Sequence, residues 1–197
     1  VMEAFFKDFN SSASEHFELK KLSPAFNLIF EGNEKISIPN DYNELKNLFE
    51  LIEEGSSVVL DKFMQDAKKK YDISFSNLIE KPGLSIKEYL DYETIKASMN
   101  LSLFGSYQKM VYKKFKNPKL RALMEFPVLF LGAKPSNTPS LYSLMNYAGL
   151  KLGTYYPMGG FYSLVEGMVI ICKKQGVLFH TNANISKINV VEKQVTS

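Results

Sequence analysis

Phe126-Pro127-Val128-Leu129-Phe130-Leu131-Gly132-Ala133, followed by Lys134-Pro135-Ser136-Asn137-Thr138-Pro139-Ser140, is the stretch on which the architecture turns. A helix opened by Asn117-Pro118 runs into it. Pro127 lacks an N–H and its ring crowds the preceding turn, so that helix must kink or break there. Residues 132–140 read as a loop. Thr138-Pro139 is a cap and first-turn pair for a further helix carrying Leu141, Leu144, Met145 and Ala148, with Gly149 as its end. Helix, break, loop and helix in such quick succession predict a mainly helical domain.

Upstream, residues 93–115 read as one or two helices. Leu101, Leu103, Phe104, Tyr107, Met110 and Val111 are apolar there, with Lys109, Lys113, Lys114 and Lys116 among them. From Leu101 to Tyr147 the chain is more apolar than packing on one side requires. The surplus fits a dense core, a lipid-sized tunnel or a membrane-facing surface. Earlier still, Ser85-Ile86-Lys87-Glu88 is a capping box behind the turn Pro82-Gly83. Ser56 or Ser57 opens a helix whose apolar stripe is Leu60, Phe63, Met64, Ala67 and Tyr71, with Lys62, Asp66, Lys69 and Lys70 on the remaining surface. Asn40 or Asp41 caps a helix carrying Leu45, Leu48, Phe49 and Ile52, which Gly55 ends. Residues 26–30 and 35–38 form a hairpin about Gly32-Asn33. Residues 3–9 are a short helix before a Ser-rich loop.

Downstream lie an extended piece at 151–155, the turn Tyr156-Pro157-Met158-Gly159-Gly160 and a helix over 161–175 with Gly176 as its cap. Strands follow at 177–180 and 185–191, with a third beginning at Val195. The fold class is α+β: a largely helical domain with a small mixed or antiparallel sheet.

Composition sets the outer bounds. The chain has 197 residues, 45% hydrophobic and 23% charged, the profile of a soluble globular protein with one domain or two small lobes. The apolar run Phe126–Leu131 is far short of the roughly 20 residues that span a bilayer. Net charge is only +3, and Arg121 is the sole arginine among 24 basic residues. Nucleic acid is therefore excluded as the expected partner. Cys172 is the one cysteine, so no internal disulfide forms. The opening Val1-Met2-Glu3 is no secretory or transit signal, and both ends read as cuts through a longer protein.

Few residues offer chemistry. His16 and His180 lie far apart without partners at ligand spacing, so no metal site is expected. His180 reads as a half-exposed strand residue and Cys172 as a small buried hydrophobe. Glu53-Glu54, Asp91 and Glu93 read as surface or capping charges. Gly159-Gly160 permits a tight turn and a close backbone approach to a ligand.

Four stretches carry a resemblance. They are Glu18-Leu19-Lys20-Lys21-Leu22 with Pro24; Lys81-Pro82-Gly83-Leu84-Ser85; residues 126–147 with Pro135-Ser136-Asn137-Thr138-Pro139 and Tyr142-Ser143-Leu144-Met145-Asn146-Tyr147; and Tyr156-Pro157-Met158-Gly159-Gly160. In these the chain resembles the bacterial-type carotenoid (phytoene) desaturases and their relatives among flavin-dependent amine-oxidase-like enzymes. The third stretch is specific and the others support it. The resemblance implies an FAD-dependent oxidoreductase that draws hydride from a long isoprenoid while resting on the inner face of a membrane. It implies a substrate-binding domain over residues 1–155 and the start of a return into the flavin domain over 156–197. Tyr156, Pro157, Met158, Gly159 and Gly160 would then lie beside FAD. Phe126, Phe130, Leu131, Asn137, Tyr142 and Met145 would line the substrate channel.

The family's G-x-G-x-x-G strand-turn-helix is absent from these residues, so the chain by itself is expected to bind no FAD and to be inactive. A long hydrocarbon gains about 0.8 kcal/mol per CH2 on leaving water and almost nothing on leaving lipid, so the enzyme must collect it from the bilayer. Leu103, Phe104, Tyr107 and Met110, with Leu101, Lys113 and Lys114, are the expected membrane contact. Two other readings stand beside this one: a non-catalytic apolar-ligand or interaction module, and a related flavin oxidoreductase acting on a retinoid, porphyrin or amine. Catalytic residues and oligomeric state are not readable.

Overall fold

The computed structural model describes residues 2–77 and 105–196. The expected features at 81–85, Ser85-Ile86-Lys87-Glu88, Asp91, Glu93, Leu101, Leu103 and Phe104 lie outside the described residues. Helix α1 (Met2–Asp8) is followed by a 3-10 turn at Ala13–Glu15, where Ser12 and Glu15 close a capping box. Strand β1 (Leu19–Lys21) precedes a hairpin of β2 (Phe26–Ile29) and β3 (Lys35–Ile38), registered Phe26 to Ile38 and Leu28 to Ile36. Gly32 at φ 78° and Asn33 at φ 60° turn it, as their residue types predict.

Asp41 caps α2 (Tyr42–Ile52), its carboxylate accepting from the N–H groups of Asn43 and Glu44 at 2.8 and 3.0 Å. Helix α3 (Ser56–Asn77) is the longest described element. Helix α4 (Tyr107–Lys114) leads to α5 (Pro118–Glu125), which Asn117 caps. Glu53 joins these helices: its carboxylate accepts from the N–H of Lys116 and, at 2.7 Å, from that of Asn117. The capping charge expected at that position thus caps a distant element.

At Pro127 the chain tightens into a 3-10 run, Phe126–Leu131, which Gly132 ends at φ 63°. The single regular helix expected next is not formed. A 3-10 turn (Ser140–Ser143), one α-turn (Leu144–Asn146) and a π-turn (Tyr147–Leu152) take its place, and Gly153 rather than Gly149 terminates the run. Thr138 donates its hydroxyl to Lys134 O instead of capping the new helix. Asn146, fully buried, donates to Tyr107 Oη and Met124 O and ties the run to the core. Strand β4 (Tyr155–Pro157) then pairs with β1.

Helix α6 (Tyr162–Lys174) ends in a Schellman pattern, with Val177 N–H donating to Cys172 O and Gly176 at φ 82°. The strands expected at 177–180 and 185–189 are absent. A strand requires a hydrogen-bonded neighbour, and only β5 (Val190–Val191) and β6 (Gln194–Val195) supply one for each other among the described residues of this region. Glu192 and Lys193, both at positive φ, turn that short hairpin.

The chain forms two compact units. Lys20–Tyr156 is one, with α2, α3, α4 and α5 meeting in a core that includes Phe49, Phe63 and Phe115. The Phe49 and Phe115 rings meet edge-on at 5.7 Å. The other unit joins the residues up to Leu19 to those from Pro157 onward, so the segment before Lys20 is not grouped with the rest of 1–155. The reason is packing: Phe6, Ala13 and Phe17 share a small core with Ile171 of α6. Gly167 permits it, because a Cβ there would lie 3.0 Å from that of His16.

Candidate functional site

The 3-10 run after α5 forms one wall of an apolar groove in the larger unit. The groove, about 320 Å³, is lined by Leu28, Ile29, Phe30, Ala122, Glu125, Phe126, Leu129 and Pro135. Phe126 stacks on Phe26 at 5.4 Å and meets the edge of Phe130 at 5.2 Å, which fixes its ring. Around it Ile29 and Phe130 are each 72% exposed and Leu129 62%. This is a contiguous apolar surface of the kind that binds apolar ligands or interfaces.

Among the described residues Glu125 is the one ionisable lining group. Burial pushes its carboxyl above the usual carboxylate range, with Gln108 and Arg121 opposing. Its Oε1 is buried without a hydrogen-bond partner.

Of the expected channel residues, Phe126 lines this groove and Phe130 packs on it, with Leu131 exposed at the end of the same run. Asn137, Tyr142 and Met145 are not among its lining residues. Asn137 is exposed and accepts from Ser136 Oγ, while Tyr142 and Met145 are half-buried on the helical run. Leu129, within the apolar run read from the sequence, lines the groove too, whereas sequence reasoning missed Glu125 just before the run, and Leu28 and Ile29 across from it. The signal for Ile29 was an apolar residue at the end of a hairpin strand.

The glycine turn is formed as expected, with Gly159 at φ 86° and Gly160 at φ 93°. No atom nearer than Ser163 Cβ, at 3.9 Å, meets a Cβ built on Gly159, so a flat ring can approach the backbone there. Pro157 is buried, and Tyr156 and Met158 are partly exposed. The amides are largely spent: Met158 N–H donates to Glu18 O, Gly160 N–H to Pro157 O, Ser163 N–H to Gly160 O, and proline has none. These residues fit contact with the ring of a flavin. They form no cradle for its pyrophosphate.

The expected membrane contact is corrected in its described part. Tyr107 is fully buried, donating its hydroxyl to Met124 O and accepting from Asn146 Nδ2 at 2.6 Å, so it offers nothing to a bilayer. Met110 is half-buried against the core. Leu103 and Phe104 lie outside the described residues. Lys70, expected on the solvated surface, is buried as well.

Cys172 is partly exposed and His180 fully so, outside any strand. His16 stacks on Phe6 at 4.9 Å and shares a hydrogen bond with Ser11 Oγ. No group of three potential metal ligands occurs among the described residues. No described helix is long and apolar enough to cross a membrane.

Comparison with known proteins shows what the chain is similar to. Carotenoid 3,4-desaturase of Haloarcula japonica is 28% identical over 96% of this chain and 38% of its own length. The 4,4'-diapophytoene desaturases (4,4'-diaponeurosporene-forming) of Staphylococcus haemolyticus and Staphylococcus aureus are each 26% identical, over 95% and 88% of this chain and 38% and 35% of theirs. The chain is similar to carotenoid desaturases along nearly its whole length. It spans less than two-fifths of the length of these curated relatives. No protein-family model matches it.

Proposed function

We propose that this chain is the substrate-binding portion of an FAD-dependent desaturase that introduces double bonds into a long, apolar isoprenoid. The observation that carries the proposal is the joining of two facts: similarity to carotenoid desaturases along nearly the whole chain, and an apolar groove with one half-buried carboxyl as its only ionisable lining among the described residues. A hydrocarbon polyene offers no hydrogen bonds, so a site for it must be apolar and dry, and its affinity comes from burial at about 25 cal/mol per Å².

Phe126, Leu129 and Leu28 bind and orient such a chain, and the Phe26–Phe126–Phe130 stack keeps the wall rigid. Glu125, held toward its neutral form, lies against hydrocarbon at less cost than a carboxylate would. Accepting the hydride is chemistry that FAD supplies when bound. Tyr156, Met158 and Gly159 would contact it, and positioning is the chain's contribution. The exposed apolar residues Ile29, Leu129, Phe130 and Leu131 replace Tyr107 as the surface through which the substrate leaves the bilayer.

The test is pigment formation. The protein of full length is expressed in a colourless host that accumulates an acyclic carotenoid precursor, and extracts are separated by chromatography. A more conjugated product is expected, falling at least roughly tenfold in Leu129→Asp, which places a charge in the groove. Unaltered precursor with the wild-type protein would sink the proposal.

A further inference from the structure

Helices α3 and α4 bound a second cleft in the larger unit, about 940 Å³ in volume and unlike the first in character. Among the described residues its charged lining is Asp66, Lys69, Lys70, Lys109, Lys113 and Lys114, five cations against one anion. Among the described residues none of the five lysines makes an ion pair.

Lys70 is the unusual member. Its ammonium donates to Ser140 O at 3.0 Å and Ser143 Oγ at 3.2 Å, and rests 4.0 Å from Met110 Sδ. A buried charge is ordinarily paired with an opposite one. Among the described residues its acceptors are all neutral, and only 7% of the residue is exposed. Lys113 and Lys114 at the end of α4 suit the helix dipole, which accounts for them without a ligand. The dipole does not account for Lys109 in the first turn of α4, where a cation is unfavourable, nor for Lys69 in the body of α3.

We infer that this cleft is a binding site for phosphate groups, with Lys70 as the buried cation at its wall and Lys69, Lys109 and Lys113 as the outer ring. Lysine is a compact, strongly hydrated point charge that binds phosphate without the planar matching that arginine brings. Clustered like charges focus the field in a cleft and raise the local concentration of anions. Ile73 and Met110 give the lining an apolar side, so a phosphate ester with an apolar chain fits as well as a free phosphate. The inference stands apart from the desaturase reading, since it needs no substrate or flavin.

Two probes test it on the full chain. Pyrophosphate is titrated calorimetrically, and phosphatidylcholine vesicles with and without phosphatidylglycerol are co-sedimented with the protein, each at low and high salt. Binding is expected to at least one probe, to weaken with salt, and to fall roughly tenfold or more in the exposed triple variant Lys69→Gln/Lys109→Gln/Lys113→Gln. Pyrophosphate binding identifies a free phosphate as a ligand. Binding only to phosphatidylglycerol vesicles identifies a lipid headgroup. Lys70→Met should weaken whichever probe binds; because it also removes buried hydrogen bonds, the exposed triple decides. Absence of binding to both probes, or triple-variant binding equal to wild type, overturns the inference.

Discussion

At the scale of single residues, two buried polar groups make opposite contributions. Glu125 sits where burial favours its neutral form, so the folded protein holds that proton more tightly than the unfolded chain. Its stabilising share is complete below the unfolded value and is lost as pH rises through the raised folded one. Glu125→Gln is therefore expected to stabilise at neutral pH and to change little in acid, a difference that urea unfolding at the two pH values measures. Equal effects at both would show that the carboxyl is not penalised by its surroundings. Tyr107 is the reverse case, a hydroxyl fully employed between Met124 O and Asn146. Tyr107→Phe should cost about 1–2 kcal/mol in the same assay, the worth of a buried hydrogen bond whose partners stay behind.

At the scale of elements, Gly153 and Asn40 act as one device. Asn40 Nδ2 donates to Leu22 O and Thr154 O at 2.8 and 2.7 Å, and its Oδ1 accepts from Thr154 N–H at 3.0 Å. A Cβ on Gly153 would lie 2.8 Å from that Oδ1, in a backbone conformation of φ 101° and ψ 165° that is almost confined to glycine. Gly153→Ala should cost at least about 1 kcal/mol more than Gly132→Ala, whose φ of 63° faces open space. Thermal melts of the two variants compare them directly.

Elements of this kind divide what the sequence made legible. Asp41, Asn117 and Gly32-Asn33 announced themselves because caps and turns are written in a few adjacent residues. Gly153 did not, because its partner is more than a hundred positions away. Lys70 carried a local signal that its charge concealed: it lies three positions after Ala67 and ten after Leu60, on the buried stripe of α3, as does the buried Ser74. Phe126 and Phe130 were readable from the apolar run itself. Glu125 is the neighbour of Phe126 in the chain, whereas Leu28 and Ile29, apolar residues of a hairpin strand, join them through a tertiary contact that the strand pattern does not specify.

At the scale of the molecule, the two units differ in what orders them. The larger has a core of packed helices, whereas residues 177–189 have little beyond the Val177 N–H bond to Cys172 O and the base of a two-residue hairpin. Leu178 is 81% exposed and Ile185 71%, so little apolar burial opposes opening there. Hydrogen exchange should find the amides of 178–188 among the fastest of the described residues and those within α3 and α5 among the slowest. The proposed flavin contact falls in residues 156–160. Holding a dinucleotide takes several free N–H donors aimed at its pyrophosphate, and the turn at Gly159-Gly160 has spent the N–H groups of Met158 and Gly160 on Glu18 O and Pro157 O. What remains is an open glycine surface suited to a ring. Ring contact alone is a small part of the interaction a tightly held dinucleotide requires, so the 197-residue chain purified with excess FAD and desalted should be colourless, whereas the protein of its relatives' full length should retain visible flavin absorbance. Stoichiometric flavin on the chain alone would mean that residues 156–160 do more than touch a ring, and the pyrophosphate would then have to be sought on this chain.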